Sequence, residues 1–150
     1  MTAKSDFSPS DWDLILQGPP SAGLIVIAAD RGGTVRETFS MAGAYAEARQ
    51  QHGHSELLDE IVAAKPEIDR SRSHSREELT QRSLSHLTDA MRALEGKATP
   101  QELDEYRSFV LALAEKVARA HREGGGADDP ISGPERAAIA EIAAALGANP

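Results

Sequence analysis

The chain has 150 residues, 40% of them hydrophobic, no cysteine and a formal net charge of −8. That length fits one domain. The missing cysteine excludes disulfides, thiolate metal sites and Cys nucleophiles, and the acidic balance disfavours nucleic acid and anionic membrane as partners.

Leu, Ile, Val and Phe together number 29, against 25 alanines. Ala is the best helix former and lets helices approach closely, so the expected fold is all-α: a thin-cored, single-domain helical bundle of roughly six or seven helices. Residues 1–9 read as a flexible lead, residues 10–147 as the bundle, and residues 66–75 and 123–131 as its loops. The lead is polar and lacks the charged-then-apolar order of a secretory signal, so the expected location is cytoplasmic.

Ser10 is the expected N-cap of a short first helix, with Asp11 and Asp13 in its first turn and Trp12, Ile15 and Leu16 on its apolar face. Gly18-Pro19-Pro20 is expected to end it, because proline cannot continue the hydrogen-bond ladder. Pro20 then suits the first position of a second helix. The run Gly23-Leu24-Ile25-Val26-Ile27-Ala28-Ala29 is the most apolar in the chain. It is far shorter than the ~20 residues that span a bilayer, so no membrane insertion is expected. Its β-branched content also suits a buried parallel strand, the opening of a nucleotide-binding unit. No second run of this kind offers a partner strand, so we read it as a fully buried helix and keep the strand as the alternative.

Residues 34–51 read as a helix with Val35, Phe39, Ala42 and Ala46 on one side, broadened by Met41 and Tyr45, and with Gly43 at a close helix crossing. Gly53 ends it. Ser55 caps the next helix, which carries Leu57, Leu58, Ile61 and Val62 and stops before Pro66. Two heptad-like stripes follow. One runs through Leu84, Leu87, Met91 and Leu94; the other runs through Leu103, Tyr106, Val110, Leu113 and Val117. The second opens on Thr99-Pro100-Gln101-Glu102, a capping box with proline at the first helical position. Joined by residues 95–98, the stripes predict a central antiparallel helical hairpin. A second capping box, Ser132-Gly133-Pro134-Glu135, opens a last helix with Ile139, Ile142 and Leu146 on its apolar face and Gly147 as its C-terminal cap.

Candidate chemistry centres on Ala29-Asp30-Arg31-Gly32-Gly33-Thr34-Val35-Arg36-Glu37. Asp30 and Glu37 are candidate ligands for a divalent cation, since hard cations take carboxylate oxygens and carbonyls freed by glycine turns. Arg31 and Arg36 oppose a cation. With the amides of Gly32 and Gly33 they form instead a candidate anion site at a helix N-terminus. The structural alternative gives Asp30 a capping role, the glycines a tight turn and Glu37 the favourable end of a helix dipole. His52 and His54, with Glu56 and Asp59 beyond, read as exposed turn residues, because structural zinc usually needs four ligands. His121 suits a helix C-terminus. The Arg70-Ser71-Arg72-Ser73-His74-Ser75-Arg76 stretch reads as a solvated loop without the aromatics that stack on bases. No Ser, His and Asp set has the strand-turn-helix context of an esterase nucleophile. No catalytic residue and no resident cofactor are therefore assigned.

Ala29-Asp30 followed by Glu37, and Ser132, Glu135, Leu146 and Gly147 at the other end, resemble the TerB-like group of helical domains associated with tellurite resistance and stress response. Here Arg31 stands between Asp30 and the first glycine. The resemblance implies an all-α bundle with a binding or scaffolding role. The expected function is a non-enzymatic helical interaction module in bacterial stress physiology, with a protein partner or a homo-oligomer. The alternatives are a divalent-cation-binding protein using Asp30 and Glu37, and a small-ligand-binding or enzymatic domain built on a strand at residues 23–29.

Overall fold

The computed structural model describes residues 4–29, 43, 45–48, 50, 56–63, 76–122 and 133–147. Five α-helices span the described residues: α1 (Pro9–Ala29), α2 (Glu56–Ala63), α3 (Arg76–Glu95), α4 (Pro100–Arg122) and α5 (Gly133–Ala145), preceded by a 3-10 turn at Lys4–Asp6. Gly43, Tyr45 to Ala48 and Gln50 are also helical, and no strand occurs among the described residues. The protein is an all-α bundle.

The largest departure from the sequence expectation is α1. It runs unbroken through Pro19 and Pro20, where a helix end was expected. Residues 18–26 are all buried. A helix buried on every side is the central one of its bundle, and α1 packs along α3, α4 and α5. Each interior proline would cost an isolated helix about 3 kcal/mol, so neighbouring helices must supply what the backbone lacks. The strand alternative for residues 23–29 falls with the same observation. The run is helical, with Leu24, Ile25 and Val26 at 6%, 1% and 1% exposure.

The start of α1 also differs. Ser8, not Ser10, is the N-cap: its Oγ accepts from the Asp11 amide at 3.1 Å, and its carbonyl accepts from the Trp12 amide at 2.9 Å. Pro9 then occupies the first helical position, where its missing N–H costs nothing. Phe7 precedes the cap and packs on Trp12 with ring centroids 6.0 Å apart, the hydrophobic staple that fixes the entry angle of a chain into a helix. Lys97 donates to the Asp6 carbonyl and lies 5.6 Å from the Phe7 ring centroid. Phe7, in the expected lead, is thus part of the core.

The hairpin arms α3 and α4 follow the predicted stripes. Leu87, Met91 and Leu94 are buried on α3, and Tyr106, Val110, Leu113 and Val117 on α4. Thr99 and Glu102 form the predicted reciprocal cap: the Thr99 amide donates to Glu102 Oε1 at 2.8 Å, and the Glu102 amide donates to Thr99 Oγ1 at 3.2 Å. The arms touch each other little. Instead α1 lies against both, antiparallel to α3 (Gly18 beside Ala90, Ser21 beside His86) and parallel to α4 (Asp6 beside Lys97, Ile15 beside Tyr106). The expected central hairpin is therefore filled by α1, whose Gly, Pro, Ser and Ala surface permits close approach.

Among the remaining elements, α2 packs on α4 and buries Leu57 and Ile61. Tyr45 and Ala48 are buried, with Tyr45 edge-on to Phe109 at 5.2 Å. Ala46, expected on the apolar side, is exposed. Among the described residues, no close crossing is seen at Gly43. A Cβ there would meet the Lys116 side chain at 3.5 Å, an ordinary contact. Along α5, Ala138, Ile142 and Leu146 are buried and Ile139 packs beside them. Gly147 closes the helix with φ 74° and donates its amide to the Ala144 carbonyl at 3.1 Å, as a glycine C-cap does. Arg107 Nε donates to the Leu146 carbonyl at 2.8 Å, while its Nη1 reaches Asp104 at 3.2 Å. A cation thereby sits at the carbonyl end of the last helix, where the helix dipole favours it.

Candidate functional site

The candidate cation ligands Asp30 and Glu37, and the candidate anion site of Arg31, Gly32, Gly33 and Arg36, all lie outside the described residues. So do His52, His54, His74 and the stretch 70–75. Helix α1 carries the chain to Ala29, the residue before Asp30. Asp59 is exposed on α2. No group of three or more His, Asp or Glu side chains that could hold a metal ion occurs among the described residues.

The polar organisation of the described core lies elsewhere, where α1 meets α3 and α4. Pro19 has no N–H for the Ile15 carbonyl four residues earlier, which would otherwise be left without its helical donor. Tyr106 of α4 fills that place: its hydroxyl donates to the Ile15 carbonyl at 2.7 Å, within the buried core. Gly18 makes the approach possible. A Cβ at position 18 would collide with the Tyr106 hydroxyl and stand 3.2 Å from its Cζ and 3.5 Å from the Ala90 methyl. Burial raises the Tyr106 phenol well above its ordinary pKa of 10.0, with the neighbouring Tyr45 adding to the shift. The hydroxyl thus stays protonated, as a donor must.

Three residues on, Ser21 is 4% exposed and its Oγ lies 3.4 Å from His86 Nδ1 on α3. At that distance the hydrogen bond is weak, and it joins two helices at a half-buried edge. Comparison with known protein families, with curated proteins and with solved structures finds no match. No helix among the described residues is long and apolar enough to cross a membrane.

Sequence reasoning placed Tyr106 in the apolar stripe of α4 and missed its hydroxyl. A signal was present. Two prolines directly before a buried run leave carbonyls that need donors, and Tyr106 is the stripe residue that carries one. Nothing in the sequence pairs Ser21 with His86, which stand 65 residues apart.

Proposed function

We propose that this chain is a non-enzymatic helical scaffold that binds another protein or a second copy of itself, in the stress-response setting that the TerB-like resemblance implies. The observation that carries this reading is the use made of polar side chains in the described core. The Tyr106 hydroxyl closes a gap in the α1 backbone, the Glu102 carboxylate caps α4, and Ser21 links α1 to α3. Each is engaged in joining or finishing helices, which is the chemistry of a support. The test is light scattering coupled to size-exclusion chromatography over a range of concentrations, together with an affinity pull-down. A discrete assembly or a specific, saturable partner is expected; a strict monomer with no partner overturns the reading.

A divalent cation held by Asp30 and Glu37 is the second reading. It is favoured by α1 running as an apolar helix up to Ala29, the arrangement the resemblance calls for. Calorimetry with Ca²⁺, Mg²⁺ and Zn²⁺ tests it: no heat, or heat unchanged in Asp30→Ala, removes it.

A further inference from the structure

We propose that α1 is a conditional helix, latched across Gly18-Pro19 by the Tyr106 hydroxyl and hinged there when that hydroxyl is withdrawn. Taken alone, residues 9–29 carry the punctuation of two helices: a glycine, two prolines, and an apolar run beyond them. In the fold they form one helix. Three observations meet at the joint. The carbonyl that Pro19 leaves without its helical donor belongs to Ile15; the group that donates to it is the phenol of Tyr106, 91 residues away in sequence; and position 18 lacks the Cβ that would block the phenol. A chance contact would not need the glycine, the proline and the tyrosine in register.

The interaction runs between elements, so α1 is continuous only while α4 is docked beside it. Without the hydroxyl, the Ile15 carbonyl becomes a buried acceptor without a donor, a state native proteins avoid. The least costly relief is rotation at Gly18, the glycine that lies between the Ile15 carbonyl and Pro19. Such rotation separates the N-terminal half, held by Ser8, Phe7 and Trp12, from the half that carries Leu24, Ile25 and Val26. The hinge then lies at the Gly-Pro junction between two well-anchored halves.

The experiment is a double-mutant cycle on the full chain with Tyr106→Phe and Pro19→Ala, read by denaturant unfolding and by amide hydrogen exchange. Alanine at 19 restores the amide that the Ile15 carbonyl lacks. Tyr106→Phe is expected to shift the folding equilibrium towards the unfolded chain by about tenfold or more in the native background, the effect of leaving one buried acceptor unpaired. In the Pro19→Ala background the same substitution should have little effect. Exchange in Tyr106→Phe should rise in the amides of α1 flanking the prolines and stay low in α4. Equal losses in both backgrounds overturn the proposal, as does faster exchange spread evenly over α1 and α4. Should Pro19→Ala fail to fold, the exchange pattern of Tyr106→Phe alone separates a local hinge from a general loosening, and the latter overturns the proposal.

Discussion

Helices α1 and α4 lie side by side, and opposite features of sequence make each of them helical. Helix α4 announces itself: a reciprocal Thr99–Glu102 cap at its start, then Tyr106, Val110, Leu113 and Val117 buried at helical spacing, with Gln101, Asp104, Ser108, Ala112 and Glu115 exposed between them. Its periodicity exists because one side faces water. Helix α1 has water on neither side along residues 18–26, so it carries no stripe, and it contains the two residues that most oppose a helix. The difference teaches that local signals report self-sufficient helices, whereas a helix enclosed by the others is specified by its surroundings.

The sharpest way to break that contrast is to add one methyl group. Gly18→Ala would favour an isolated helix by up to about 1 kcal/mol, because alanine is the better helix former. In this fold the new Cβ lands on the Tyr106 hydroxyl. The phenol must leave the Ile15 carbonyl, and overpacking adds to a lost buried hydrogen bond, for a net destabilisation of about 3 kcal/mol. Gly43→Ala is the control. Among the described residues its Cβ meets the end of the Lys116 side chain alone, with Cε at 3.5 Å and Nζ at 3.9 Å, so it should be neutral or stabilising by up to about 1 kcal/mol. Denaturant midpoints of the two variants check the pair, and a stable Gly18→Ala would mean that α1 and α4 are less tightly registered than the geometry requires.

The second effect comes from pH. Burial holds the Tyr106 phenol protonated well above 10.0, whereas the phenol of the unfolded chain ionises near its ordinary value. The folded pKa is the raised one. The stabilisation is therefore complete below the unfolded pKa, and it declines at higher pH by about 1.4 kcal/mol per pH unit until the folded phenol ionises too. Melting curves from about pH 8 to about pH 11 should fall more steeply for the native chain than for Tyr106→Phe. Parallel curves would place the ionised phenol in a wetter setting than the core of α1 and α4.

How much was legible follows the same division. Helices α3, α4 and α5 were readable because capping residues, apolar stripes and the terminal Gly147 act within a few residues of one another. The Ser8 cap was missed in favour of Ser10, although its signal was present: Ser8-Pro9-Ser10-Asp11 repeats the logic of Thr99-Pro100-Gln101-Glu102, a hydroxyl, a proline and an acid at the same offsets. The continuity of α1 was not readable, because the penalty at Pro19 is local and its remedy sits 91 residues away. Of the candidate site, the helix ahead of Asp30, buried along residues 18–26, was legible in its apolar half from composition. The pairing of Ser21 with His86 was not, since neither residue carries a spacing signal.

Caps give a smaller test, in which α4 should behave as a self-contained unit. Thr99→Ala removes the hydroxyl that accepts from the Glu102 amide, at a cost of about 1 kcal/mol. The loss should appear as fraying of the first turn of α4, with the Tyr106 joint intact. Hydrogen exchange at Leu103, whose amide donates to the Thr99 carbonyl at 3.0 Å, should quicken while the amides of α1 stay protected. If protection in α1 falls as well, the two helices are coupled through the start of α4 and not only through Tyr106.

The smallest effect lies on the surface, at the contact between residue 47 and α4. Lys116 Nζ donates to Glu47 Oε2 at 2.8 Å, with the two side chains 41% and 60% exposed. That hydrogen bond, and then the lysine charge, lowers the Glu47 carboxyl below 4.5. The folded pKa is the depressed one, so any stabilisation is present above 4.5 and fades as pH falls through the folded value. Water and salt screen a pair this exposed, so Lys116→Met should return the Glu47 pKa towards 4.5 in an NMR titration while leaving the melting temperature unchanged. A clear fall in melting temperature would show that the aliphatic stem of Lys116, which methionine only partly replaces, holds Gly43 and Glu47 against α4 more firmly than the ion pair does.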